Sequence, residues 1–154
     1  LLYVLEQFVM PQREDGAAQA DKAPPVDFRG RRILLVEDNE LNIEIAREVL
    51  EMTGAVVEEA LNGELAVEAV RNSPENHYAA VLMDIQMPVM NGYEAARAIR
   101  NLPREDVRSL PIIAMTADAF VEDIQRAQDA GMNAHIAKPL DFALLYRVLA
   151  RWVA

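Results

Sequence analysis

Three acids, a hydroxyl and an amine in this 154-residue chain could do chemistry together: Glu37-Asp38, Asp84, Thr116 and Lys138. Each follows a short apolar run: Ile33-Leu34-Leu35-Val36 before Glu37, Ala79-Ala80-Val81-Leu82-Met83 before Asp84, Ile112-Ile113-Ala114-Met115 before Thr116, and Ala134-His135-Ile136-Ala137 before Lys138. Taken singly each has a plainer use: Asp84 as a turn residue, Glu37-Asp38-Asn39 as a helix cap, Thr116 as a β-branched strand residue, Lys138 as a solvated strand-end charge. Converging on one sheet end, they imply more. Crowded carboxylates repel, so without a counter-ion their titrations couple and at least one pKa rises. A hard divalent cation relieves this, and Mg²⁺, which takes one or two carboxylates and keeps several waters, suits the set. His77 and His135 share no ligand spacing with the acids, which weakens a transition-metal reading. A carboxylate whose charge is masked can attack phosphorus and form an acyl phosphate, provided that a cation and hydrogen-bond donors hold the phosphoryl oxygens. Asp84 has such helpers in the metal, the Thr116 hydroxyl and the Lys138 ammonium, so the expected chemistry is phosphorylation of an aspartate.

The elements that must position these groups are legible in the same pattern. A fifth apolar run, Ala55 to Ala60, ends only in Leu61-Asn62, as an edge strand would. Between the runs lie segments of helical period: Leu41, Ile45, Val49 and Met52 before Gly54, then Gly63 to Asn72, Gly92 to Arg100, Phe120 to Ala130 before Gly131, and Asp141 to Trp152 striped by Phe142, Leu145, Leu149 and Trp152. Strict alternation of strand and helix predicts an α/β fold, a doubly wound five-stranded parallel sheet flanked by five helices. In such sheets ligands bind beyond the carboxyl ends of the strands, where the chemical residues fall. Met83, Met87, Met90 and Met115 read as packing residues and His77 as an exposed loop residue.

Composition narrows the partners. Lys+Arg 15 against Asp+Glu 25 gives a net charge of −10, which opposes binding to nucleic acid or an anionic membrane surface. An apolar content of 52% is too high for a disordered acidic chain. The absence of cysteine removes disulfides, thiolate catalysis and zinc–thiolate sites, and fits a reducing compartment. No apolar run reaches the ~20 residues of a membrane span. Residues 1–30 read as an upstream tail and linker: Leu1 to Met10 is apolar but lacks a signal peptide's basic leader and cleavage site, and the polar stretch after Pro11 runs into Pro24-Pro25. Residues 31–154 read as the folded domain. Opening at Leu1, the chain is expected to be a piece of a longer protein.

Four motifs, Ile33-Leu34-Leu35-Val36-Glu37-Asp38-Asn39, Leu82-Met83-Asp84-Ile85-Gln86-Met87-Pro88-Val89-Met90-Asn91-Gly92, Ala114-Met115-Thr116-Ala117 and Ala137-Lys138-Pro139-Leu140, resemble the receiver domain of two-component response regulators. The resemblance covers about Gly30 to Ala154. It implies a flavodoxin-like sheet of order 2-1-3-4-5 and a phosphohistidine donor to Asp84. It further implies a Mg²⁺ site, with Mn²⁺ as a substitute, made by Glu37 (through water), Asp38, Asp84 and the Gln86 backbone carbonyl. Phosphoryl oxygens would be held by Thr116, the Ala117 backbone N–H and Lys138, and the Lys138–Pro139 peptide would be cis, as the small intrinsic cost of cis X–Pro permits. Thr116 and His135 would form the switch through the face of the fourth helix, fifth strand and fifth helix, with Gln86 and Asp118 tuning phosphoryl lifetime. Two positions depart from the commonest pattern. His135 replaces a frequent aromatic and would bring a titratable ring, and Asn91 stands where many members carry Asp.

Two other classes compete. A metal-dependent phosphohydrolase working through an aspartyl-phosphate would carry a second acid two residues after its nucleophile; here Ile85 and Gln86 follow Asp84. A flavin-binding flavodoxin would need a Ser/Thr/Gly-rich phosphate cradle where this chain has carboxylates. Site chemistry therefore favours a phosphoacceptor switch over both. The order of linker then receiver, with the Met-Pro-Val-Met-Asn-Gly-Tyr-Glu-Ala and Ala-Lys-Pro-Leu-Asp segments, resembles the C-terminal receiver of a hybrid sensor histidine kinase. That context implies a histidine kinase core in the same parent chain, a histidine phosphotransfer domain as partner, and a cytoplasmic location, on the cytoplasmic side if the parent is membrane-anchored. The domain would catalyse only its own phosphorylation and dephosphorylation, the kinase activity belonging to the parent. A single-domain response regulator is the alternative.

Overall fold

A computed structural model describes residues 26–117 and 121–153 of the chain. Five strands, β1 (Arg32–Val36), β2 (Val56–Ala60), β3 (Ala80–Asp84), β4 (Ile112–Thr116) and β5 (Ala134–Ala137), form one parallel sheet of order β2-β1-β3-β4-β5. They alternate with α1 (Glu40–Glu51), α2 (Gly63–Arg71), α3 (Gly92–Arg100), a single turn α4 (Asp106–Ser109), α5 (Val121–Asp129) and α6 (Phe142–Val153). The expected topology is therefore present, with one more helix than the periodicity announced. The helices expected fourth and fifth are α5 and α6.

Alternation along each strand divides the interior in two. Leu34, Val36, Val81, Met83, Ile112 and Ala114 face α2, α3, α4 and α5, whereas Ile33, Leu35, Leu82, Ile113, Met115 and Ile136 face α1 and α6. Both faces being covered explains why β3 and β4 are buried at every position. Met83 and Met115 are core residues on opposite faces of the sheet, and Met87 and Met90 pack partly buried on the Met83 side.

Three details differ from the sequence expectation, two on helices and one in the segment before β1. On α1 the buried side is Ile43, Ala46, Val49 and Leu50, while Leu41, Ile45 and Met52 stand in solvent. The same happens at the ends of the α6 stripe, where Phe142 and Trp152 are exposed and Leu144, Tyr146, Val148 and Val153 join Leu145 and Leu149 inside. On the segment read as linker, Phe28 is buried among the residues under α1 and α6, and its N–H donates to the Thr53 carbonyl at 2.8 Å.

His77 is also more engaged than an exposed loop residue. Its Nε2 lies 3.1 Å from Glu58 Oε2, and its ring stands edge-on to Tyr78, whose hydroxyl donates to Glu58 Oε1 at 2.7 Å. Among the described residues no helix is long and apolar enough to cross a membrane.

Candidate functional site

The carboxyl ends of the strands are tied level by main-chain hydrogen bonds. Glu37 N–H donates to the Ala60 carbonyl at 3.1 Å, Ile85 N–H to Met115 at 3.0 Å and Lys138 N–H to Thr116 at 2.8 Å. These bonds continue the ladders past the last paired residues and bring the chain-distant groups to one edge of the sheet. Asn39 starts α1 by accepting from the Asn42 N–H at 3.1 Å, so the cap is Asn39 and the two acids before it are left for the site.

On the other side of the site the β3–α3 loop is fixed by close approach. A Cβ on Gly92 would lie 2.5 Å from the Asp84 carbonyl oxygen, and the Gly92 N–H donates to Ile85 at 2.9 Å. Asn91 and Glu94 close a reciprocal capping box at the start of α3. The loop carrying Asp84 is thereby anchored to a well-capped helix.

Glu37 and Asp84 are buried and Asp38 is exposed; one carboxylate oxygen from each lies within 4.8 Å of the others. Lys138 Nζ donates to Glu37 Oε2 at 2.8 Å and sits 3.3 Å from Asp84 Oδ2. Asn42 Nδ2 and the Asn39 N–H approach Glu37 Oε1 at 3.5 and 3.4 Å, and the Gln86 N–H donates to Asp84 Oδ1 at 3.3 Å. Lys138 is one cation between two buried anions, and the acids share it unequally.

Burial pushes Asp84 up to about 6, the neighbouring Glu37 charge adding to the effect and Lys138 opposing it. Burial would raise Glu37 as well, but the bond and charge of Lys138, with Asp84 and Asn42, outweigh it and hold Glu37 below the ordinary carboxylate value. Burial would lower Lys138; the Glu37 bond and both acids' charges outweigh it and raise the amine. One unit of positive charge is missing at Asp84, and three carboxylates with exposed Asp38 at the rim are a donor set suited to a hard divalent cation.

The remaining expected residues fall as follows. Thr116 ends β4 and is buried, Ala117 is the exposed residue after it, and Gln86 is exposed at the start of the β3–α3 loop. The Lys138–Pro139 peptide is cis. His135 on β5 is buried, and burial holds its imidazole below the ordinary value. Asp118 lies outside the described residues. Sequence reasoning passed over Asn42, a polar residue one turn into α1 whose amide reaches Glu37, and Tyr93, which with Gln86, Asn91 and Thr116 lines a groove of about 450 Å³ beside the site.

Residues 33–150 match the response regulator receiver domain family. The sensor protein GacS of Pseudomonas syringae pv. syringae is 36% identical over 149 residues, a match covering 96% of this chain and 16% of that protein. The receiver domain of sensor histidine kinase PA1611 from Pseudomonas aeruginosa PAO1, whose crystal structure holds a magnesium ion in the active-site cleft, is 41% identical with a TM-score of 0.72 over 80% of this chain and 98% of that one. The receiver domain of Ssk1 from Saccharomyces cerevisiae, solved in complex with the histidine phosphotransfer protein Ypd1, superposes with a TM-score of 0.72 at 27% identity over 82% of this chain and 90% of that one. The family match over residues 33–150 and the fold shared with these receiver domains place the chain among the response regulator receiver domains of two-component systems.

Proposed function

We propose that Asp84 accepts a phosphoryl group from a phosphohistidine, and that the acyl phosphate so formed alters partner binding through α5, β5 and α6. The observation that carries this is the placement of Asp84: a buried carboxylate short of positive charge, 3.3 Å from a lysine amine, at the end of the central strand. One Asp84 oxygen attacks phosphorus, the P–N bond breaks, and the imidazole leaves as the neutral base once protonated. The Thr116 hydroxyl and the Ala117 N–H hold phosphoryl oxygens, and Lys138 turns from the Asp84 carboxylate to the phosphate. Glu37, Asp38, Asp84 and the Gln86 carbonyl would hold Mg²⁺, which when bound supplies the positive charge that lets two anions meet. Gln86 and Asp118 set the phosphoryl lifetime.

We place the domain in a hybrid sensor histidine kinase, fed by that protein's kinase core and delivering to a histidine phosphotransfer domain in the cytoplasm. The GacS match supports this context, since it extends over 96% of the chain and so beyond residues 33–150. We put the boundary between linker and domain before Phe28 rather than at residue 30, since the Phe28 side chain packs with the core under α1 and α6. Incubation of the chain with Mg²⁺ and acetyl phosphate, followed by intact-mass measurement, tests the assignment. One phosphoryl group is expected in the wild type and none in Asp84→Asn; equal labelling of both overturns it.

A further inference from the structure

The helix α5 is held to the rest of the molecule by little apolar surface: of its described side chains only Ala127 is buried, with Ala130 just beyond its end. Its attachment to α3 is specific instead. Beyond its carboxyl end, Arg100 at the end of α3 donates from Nε and Nη2 to the Gly131 carbonyl at 2.9 and 2.7 Å, and from Nη2 to Asn133 Oδ1 at 2.8 Å. Near its middle, the Arg126 guanidinium sits 4.4 Å above the Tyr93 ring, and the Tyr93 hydroxyl donates to the Asp123 carbonyl at 3.4 Å. A void of only about 10 Å³ lies beside Tyr93 under the helix, lined by Thr116, Ile124, Ala127 and His135. One end of α5 is a fixed pivot and its middle is a weak catch.

The catch is geared to the phosphoacceptor. Tyr93 directly follows Gly92, whose N–H donates to the Ile85 carbonyl at 2.9 Å and where a Cβ would stand 2.5 Å from the Asp84 carbonyl oxygen, so the start of α3 lies directly against the main chain at Asp84 and Ile85. A shift of the Asp84 main chain therefore carries the Tyr93 ring with it. We propose that Tyr93 is a positioning residue: it holds α5 in place through Arg126 while Asp84 is unmodified and releases the helix about the Gly131 pivot when Asp84 is phosphorylated. This rests on Asp84 being the phosphoacceptor. It also gives the coupling an aromatic ring on α3, where β5 offers only the buried imidazole of His135.

Hydrogen exchange of α5, compared with α2 as an internal standard, tests the catch in the intact chain with and without Mg²⁺ and acetyl phosphate. Arg126 is exposed, and Gln keeps the helix propensity while removing the cation. Arg126→Gln should raise α5 exchange in the unphosphorylated chain roughly two- to fivefold, the worth of an exposed cation–π contact, and Arg126→Lys should restore slow exchange. Phosphorylation should accelerate α5 exchange in the wild type and add little in Arg126→Gln, although both take up the phosphoryl group. Unchanged α5 exchange in unphosphorylated Arg126→Gln, or the same phosphorylation-dependent rise in both chains, overturns the proposal. If the wild type takes up no phosphoryl group, the phosphoacceptor assignment falls, and the comparison of unphosphorylated chains still decides whether the catch exists.

Discussion

Glu37 and Asp84 are both buried acids beside one lysine, yet they bear opposite consequences for stability. Asp84 titrates near 6 in the folded chain against a reference of 3.8, so its contribution is fully present below about pH 4 and is lost as pH rises through 6. Glu37 shifts downward, and its contribution is present above its unfolded pKa and lost as acid protonates it. At pH 7 and without divalent cation, ionised Asp84 therefore destabilises the fold, by about 1–3 kcal/mol once solvent relaxation is allowed for. Urea unfolding in chelator should show Asp84→Asn more stable than the wild type by about 1–2 kcal/mol at pH 7 and equal to it at pH 4. Removing the shared cation should act the other way: Lys138→Met leaves two buried acids unpaired and should lose about 1–3 kcal/mol at pH 7, with part recovered at pH 5 as Asp84 protonates. The site acids, Thr116 and Lys138 could be named from the sequence because each ends an apolar run. The unequal sharing of Lys138 could not, since it depends on a 2.8 against a 3.3 Å approach between residues far apart in the chain.

Elements rather than side chains fix where Asp84 stands, and the decisive contact is the junction of β3 with α3. An alanine at position 92 would drive its Cβ to 2.5 Å from the Asp84 oxygen and 2.9 Å from the Ile85 Cα, both backbone atoms that cannot step aside. Gly92→Ala should cost about 1–3 kcal/mol by overpacking, and it should slow phosphorylation by acetyl phosphate, since α3 and the Asp84 loop must separate. Gly30→Ala is the contrast: φ is +82° but nothing lies within 4 Å, so about 1 kcal/mol of backbone strain is expected with no change in phosphorylation. Strands were legible because their apolar runs are short, those of β3 and β4 being buried at every position. Helix faces were less so. Apolar spacing alone marked Leu41, Ile45, Val49 and Met52 as the inner stripe of α1, but only Val49 of these is buried, with Ile43, Ala46 and Leu50 beside it. The turn α4 is too short to show a period, and Phe28 is a lone aromatic in polar surroundings whose burial arises only from long-range packing. Phe28→Ala should consequently cost about 3 kcal/mol in urea unfolding, a loss that a residue in a mere linker would not cause.

The chain carries a net charge of −10, of which a small part, the acids Glu37, Asp38 and Asp84, meets in the pocket. That part decides how the fold responds to cations. Glu37, Asp38 and Asp84 bring their oxygens within 4.8 Å of one another only in the folded chain, so a divalent cation bound there stabilises the native state by mass action. A general charge effect would not need the pocket, because monovalent salt also screens repulsion between surface acids. Magnesium chloride should then be compared with sodium chloride at equal ionic strength. At a Mg²⁺ concentration about tenfold above its Kd the gain is about 1.4 kcal/mol, or roughly 3–6 °C in Tm for a chain of this size. Asp84→Asn and Glu37→Gln should each remove most of that shift while keeping the response to sodium chloride, and protonation of Asp84 at pH 4.5 should diminish it in the wild type. Equal shifts with the two salts would assign the effect to the surface charge and leave the three acids without a metal.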